Sequence, residues 1–284
     1  MANFDLRPLS LGELLDRTIS LYRSNFVLFA GISAVPHLFT LAWHLEQMLF
    51  VSVPAIRARA TGIPPQPGAA FESAARDLLA FVIEAFIVYL ITQSATAYAV
   101  SELYLGRKSS IVAAFRQVVR RIWNLAAVTL LAGAPILAGL VTLFIPGISL
   151  ACRLMTALPA AVVENLGPRQ AFKRSFVLTR DNVRRALGIY FLYFVLRVTA
   201  YLLIVYPYSL ARETFIRHSG TVPVWLAFAT VGSVGEATLI GPFLTIAATV
   251  FYFDLRVRKE ALDLQMMMSS GERIPAGPLG APSV

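Results

Sequence analysis

Six apolar stretches, each long enough to cross a bilayer, dominate this chain and leave few folds open to it. They run over roughly residues 26–50, 78–104, 125–145, 147–164, 186–210 and 224–252. A spanning helix needs about 20 mostly apolar residues at a rise of about 1.5 Å each. Inside hydrocarbon every backbone amide must find its partner within the protein, so runs of this kind become helices. A water-soluble alternative fails on charge. Only 14% of the residues are charged and 57% are hydrophobic, whereas soluble domains carry about 25% charged residues. The predicted fold class is all-α: a polytopic membrane protein with six transmembrane helices.

The connections between these stretches alternate in charge. Residues 105–124 hold Arg107, Lys108, Arg116, Arg120 and Arg121 with no acid, and residues 164–186 hold Arg169, Lys173, Arg174, Arg180, Arg184 and Arg185. The connections on the other side carry only Arg57, Arg59 and Arg76, then Arg212 and Arg217. The positive-inside rule places the first pair in the cytoplasm, and six spans then put both termini there too. The net charge of +9 fits basic loops facing an anionic leaflet, not a nucleic-acid surface. Asp5, Glu13 and Asp16 interrupt the region where a signal peptide would need an apolar core, so the first span is expected to direct insertion. Residues 1–268 read as one integral membrane domain. The loop with Pro54, Pro64, Pro65 and Pro67 reads as irregular, and the Gly/Pro-rich stretch 269–284 as a disordered cytoplasmic tail. Pro146-Gly147 separates the third and fourth stretches and predicts a sharp hairpin turn.

Three shorter segments repeat one pattern. Leu11, Leu14, Leu15, Thr18, Ile19 and Tyr22 share a helical face; so do Ile111, Ala114, Phe115, Val118, Val119 and Ile122, and Ala171, Phe172, Ser175, Phe176 and Thr179. These i, i+3, i+4, i+7 spacings make amphipathic helices with polar opposite faces. Ser10 with Glu13 forms a capping-box signature, and Ser109 or Ser110 can cap the second helix. LLDRTISLYRSNF at 14–26 aligns with AFKRSFVLTRDNV at 171–183, matching Arg17 to Arg174 and Asn25 to Asn182. Two spans follow each copy. The chain therefore reads as three units, at about 9–105, 109–164 and 168–253, each an amphipathic interfacial helix plus a transmembrane hairpin. The apolar face of each such helix can lie in the headgroup region or pack on the bundle.

Nothing in the chain carries recognisable catalytic or metal chemistry. Its histidines are His37, His44 and His218, and its single cysteine is Cys152, which is not the spacing of a metal site. No G-x-S-x-G elbow or phosphate-cradling glycine loop is present, so no catalytic residue, cofactor or metal is expected. Four ionisable residues do fall inside spans: Glu84, Arg153, Arg197 and Glu236. Their depths along the helices suggest the pairs Glu84–Arg153 and Arg197–Glu236. Such pairs either lock the bundle or line a polar path for an ion, proton or headgroup. His37 and His44 share a face of the first span and admit a proton-relay or a packing role. Small residues at Gly133, Ala134, Ala138 and Gly139, and at Gly232, Ser233, Gly235 and Ala237, permit close helix packing within the chain or in a homodimer. Pro36, Pro135, Pro159, Pro207 and Pro242 lie within or near five of the spans, where each can kink its helix.

Several segments carry a likeness to known proteins. LRPLSLGELLDRTISLYRSNF near the start, PGISLACRL and GPRQAFKRSFVLTRDN in the middle, and YFDLRVRKEALDL near the end resemble the bacterial glycerophosphoryl diester phosphodiesterase membrane-domain family. In some members of that family the membrane part is joined to a phosphodiesterase domain. A hydrolase barrel takes about 250 residues, which this sequence does not hold, so the resemblance implies the membrane module in a bacterial inner membrane. Function is then expected to be non-catalytic: a scaffold or accessory module touching anionic lipid or a protein partner. Arg116, Arg120, Arg121, Lys173, Arg174 and Arg180 would carry the lipid contact, at about 1 kcal/mol each. The alternative is a transporter or lipid-handling protein that uses the buried charges.

Overall fold

A computed structural model describes residues 8–47, 69–208, 210 and 222–260; the proline-rich loop and the Gly/Pro-rich tail singled out in the sequence lie outside the described residues. The architecture is all-helical, with no strand among the described residues. Among the described residues ten helices follow in order: α1 Leu11–Ser24, α2 Phe26–Gln47, α3 Ala69–Tyr104, α4 Ile111–Arg120, α5 Ile122–Thr142, α6 Phe144–Leu154, α7 Ala157–Val163, α8 Pro168–Thr179, α9 Val183–Ile204 and α10 Val222–Glu260. Six spans are long and apolar enough to cross a membrane: Phe26–Glu46, Leu78–Tyr104, Ile122–Thr142, Phe144–Val163, Val183–Tyr208 and Ala227–Glu260. Large side chains such as Leu137, Val141, Leu202 and Leu203 stand exposed on the outer helices. Apolar surface of that extent suits lipid and not water. The chain is a multi-pass membrane protein.

The amphipathic helices begin where local chemistry starts them. The Ser10 hydroxyl accepts from the Glu13 amide at 3.3 Å while Glu13 accepts from the Ser10 amide at 2.7 Å, a reciprocal cap. The Ser110 hydroxyl accepts from the Ala113 amide at 3.2 Å. At α8 the corresponding place is Gly167, whose amide donates to Gln170 at 3.2 Å, followed by Pro168 at the first helical position. The buried faces keep register as well. Leu14, Thr18, Leu21 and Tyr22 are buried on α1, and their aligned partners Ala171, Ser175, Leu178 and Thr179 are buried on α8. Ala114 and Val118 do the same for α4. In all three, that face packs on the bundle.

Each unit passes its amphipathic helix to its neighbour. Helix α4 of the second unit packs on α3 of the first, α8 of the third on α7 of the second, and α1 of the first on α10 of the third. The contacts thus close into a ring of three, with α3, α7 and α10 meeting at its centre. The densest core sits at the end where α1, α4 and α8 lie, hereafter the basic end. It is built from Leu14, Phe29, Val100, Leu178, Phe251, Tyr252 and Leu255, all fully buried.

Two details of the second unit differ from the sequence expectation. The turn between the third and fourth spans falls at Leu143, and Pro146 stands in the first turn of α6. Proline is tolerated there because its missing amide would have no helical partner. Gly147 serves close approach instead: a Cβ there would lie 2.5 Å from the Leu140 backbone nitrogen. Next, the fourth span breaks at Met155–Thr156, where Pro159 occupies the first turn of α7. A proline ring clashes with the carbonyl four residues earlier and interrupts the ladder. The Arg153 carbonyl at that break accepts from Ser175 Oγ at 2.7 Å and Thr179 Oγ1 at 3.0 Å, both on α8. An apolar solvent offers a freed carbonyl no replacement, so α8 supplies it.

Candidate functional site

Polar side chains gather in two places along the bundle. At the basic end, Asp254 of α10 is fully buried and surrounded by donors. It accepts from the Leu9 amide at 2.7 Å, from Arg185 Nη1 of α9 at 2.7 Å and from Arg258 Nε at 3.1 Å. Arg185 and Arg258 also donate to the Leu9 carbonyl, at 2.7 and 2.6 Å. One carboxylate thereby fastens the chain before α1, the start of α9 and the end of α10.

The opposite face of α10 carries a second cluster. Glu164 accepts from Tyr252 at 2.6 Å and from Arg174 at 2.9 Å, and Arg174 also pairs with Glu260. Arg256 completes the set, 3.0 Å from Glu260. The Glu260 carboxylate, with Glu164 behind it, raises the Arg174 pKa further, so that guanidinium stays charged. Lys259 donates to the exposed Asp181 at 2.9 Å and holds its carboxyl below the usual range. These clusters tie the chain before α1, α7, α8 and α9 to α10 through hydrogen bonds and ion pairs.

The second gathering lies toward the other end of the bundle. On α10, Glu236 sits about 27 Å along the axis from Asp254, at about 1.5 Å per residue. There a cavity of about 460 Å³ opens between α2, α3, α9 and α10. Its walls include His37, His44, Glu84, Thr92, Gln93 and Arg197. Arg197 Nε lies 3.1 Å from Glu236 Oε1, and His44 Nδ1 lies 3.8 Å from Glu84 Oε1. His37 Nδ1 donates to the Ser33 carbonyl at 2.7 Å, which fixes its ring. The Thr92 hydroxyl is buried and has no hydrogen-bond partner among the described residues. A buried hydroxyl left so is uncommon in proteins.

The four intramembrane charges named from sequence thus divide. Arg197 and Glu236 pair as expected. Glu84 reaches the same cavity but faces His44, not Arg153. Arg153 lies over the Phe176 ring of α8, 6.0 Å from its centroid. The break at Met155–Thr156 and the docking of α8 bring it there. The basic residues expected at the lipid surface divide too. Arg116, Arg120, Lys173 and Arg180 are exposed and Arg121 is half-buried, whereas Arg174 is engaged internally by Glu164 and Glu260. Sequence reasoning missed Asp254, Arg185 and Arg258. The available signal was the spacing of Asp254 with Arg258 and of Arg256 with Glu260, which sets two charged pairs on different faces of one helix. Among the described residues no group of three or more His, Cys, Asp or Glu could hold a metal. Comparison of the chain with family models, curated proteins and solved structures returned no match.

Proposed function

We propose that this chain is a transport or lipid-handling protein that works through the intramembrane cavity, without catalysing a covalent step. The observation that carries this reading is convergence: His44, Glu84 and Arg197, from three helices, line one cavity, and Glu236 of a fourth pairs with Arg197. Ionisable groups inside a bilayer are costly and persist where they pair or serve a path. Pairing alone leaves the cavity unexplained.

The proposal includes a bacterial inner membrane with both termini cytoplasmic, supported by the basic connections around α4 and α8. It also includes kinship with the glycerophosphoryl diester phosphodiesterase membrane-domain proteins. Its support is the resemblance of the four segments, three of which contribute Leu9, Arg174 and Asp254 to the clusters at the basic end.

Cysteine labelling tests the reading. In a Cys152→Ala background, Ala237→Cys on the cavity wall should react with a water-soluble methanethiosulfonate applied to both membrane faces. Leu137→Cys, on the lipid-exposed surface, should not. A silent Ala237→Cys would mean that water does not reach the cavity, and the reading would be withdrawn.

A scaffold on anionic lipid is the second reading, and one observation favours it. Val112, Arg116, Val119 and Trp123 form an exposed stripe at the basic end, the mixture of apolar, aromatic and basic groups that sits at a headgroup layer. An Arg116→Gln/Arg120→Gln variant should retain severalfold less phosphatidylglycerol on purification, at about 1 kcal/mol per lost contact. Undiminished retention removes this reading.

A further inference from the structure

We infer that the intramembrane cavity takes the anionic head of an amphiphile whose hydrocarbon chain lies between α2 and α3. The inference rests on the proposed use of that cavity and names the class of molecule it admits. Its first support is the arrangement of charge. In both pairs the base is the more exposed member. The Arg197 side chain is 44% exposed and that of Glu236 4%; His44 is 43% exposed and Glu84 20%. A ligand in the cavity therefore meets the Arg197 guanidinium and the His44 imidazole, with the Glu236 carboxylate behind Arg197 and Glu84 on the wall beside the groove. Donors surround these: the Gln93 amide lines the wall, and the buried Thr92 hydroxyl is without a partner. Donors presented together suit a phosphate or carboxylate, because ionised acceptors make the stronger hydrogen bonds.

The second support is a neighbouring space of opposite character. A groove of about 490 Å³ runs between α2 and α3, lined by Pro36, Phe39, Trp43, Ile83, Ile87 and Ile91. Thr40, Glu84 and Val88 line both spaces, so the two are contiguous. An inorganic anion would use only the polar half. A simple hydrocarbon would use only the other. A molecule with a charged head and a chain uses both, and the groove lies against residues such as Phe39 and Ile83 that face outward from the bundle. Burying a chain in the groove gains packing contacts, and the head finds the donors that hydrocarbon lacks.

Native mass spectrometry of the full chain, released from neutral maltoside micelles, tests this with three probes at equal concentration. Lysophosphatidylglycerol has an anionic head and a chain, lysophosphatidylcholine has a zwitterionic head and a chain, and glycerol 3-phosphate has the anion alone. One saturable lysophosphatidylglycerol adduct is expected, at least tenfold tighter than either other probe. Arg197→Gln should weaken it about tenfold. Ile83→Trp, at an outward-facing position that leaves the ion pairs intact, should also weaken it by filling the groove. Equal binding of lysophosphatidylcholine would overturn charge selection, and equal binding of glycerol 3-phosphate would overturn the role of the chain. If Ala237→Cys is labelled but lysophosphatidylglycerol does not bind, this inference falls while the cavity reading stands. If Ala237→Cys is silent, both fall.

Discussion

Replacing Asp254 with Asn should lower the thermal midpoint of the detergent-solubilised protein by about 6–20 °C. The carboxylate neutralises two guanidinium groups, Arg185 and Arg258, and holds the Leu9 amide at 2.7 Å. Asn keeps the shape and one acceptor but carries no charge. Two cations then face each other across a buried site, and removing one partner of such a pair costs about 3–5 kcal/mol. For a chain of this size each kcal/mol moves the midpoint by about 2–4 °C. Because Leu9 precedes α1, the loss should appear first as release of the N-terminal segment. Limited proteolysis ahead of α1 should accelerate before global unfolding does. An Asp181→Asn variant makes the contrast, since Asp181 is exposed and its pair with Lys259 lies at the surface. Exposed pairs contribute about 0–1 kcal/mol, so its midpoint should barely move. A midpoint for Asp254→Asn equal to that of Asp181→Asn would show that the fold does not depend on the clamp.

The reach of sequence reading in this protein follows from what lipid demands. Six spans were legible because a bilayer forces long apolar runs, and the three amphipathic helices because protein below and polar surroundings above impose a 3.6-residue period. Even the register of copies one and three was legible: Thr18 and Ser175, aligned by sequence, occupy matching buried positions. Partnership was harder. Depth along a helix follows from counting residues, but azimuth does not. Glu84 and Arg153 share an estimated depth, yet Glu84 faces α2 while Arg153 lies against α8. The break before Pro159 was visible as a proline, but not its surroundings, because the Arg153 carbonyl beside the break is met by Ser175 and Thr179 from a distant segment. Asp254 escaped notice for a related reason. A charge near the end of a span reads as one that reaches the interface, whereas ring closure by α1 and α9 buries this one. The cavity itself needed four helices to assemble, and no single one of them announces it.

The Arg197–Glu236 pair should show a double-mutant signature that separates holding the fold from serving the site. Arg197→Gln leaves the Glu236 carboxylate almost wholly buried without its cation, and Glu236→Gln leaves Arg197 without its anion. Arg197→Gln should cost about 3–5 kcal/mol, the usual penalty for stranding one member of a buried pair, and Glu236→Gln less. The two costs should be unequal. Arg197 is partly exposed to the cavity and lies 3.4 Å from the Tyr193 hydroxyl, so it has other recourse, and Glu236→Gln is expected to be the milder. The double variant Arg197→Gln/Glu236→Gln removes both charges and restores a neutral pair able to share hydrogen bonds. Its midpoint should return to within about 1 kcal/mol of wild type, because replacing a whole buried pair is often neutral. Lysophosphatidylglycerol binding should not return with it, since the Arg197 guanidinium is gone. Recovery of both together would assign the pair to packing alone. Recovery of stability without binding separates the two roles, because the fold needs charge balance at this position whereas an anionic ligand needs the cation itself.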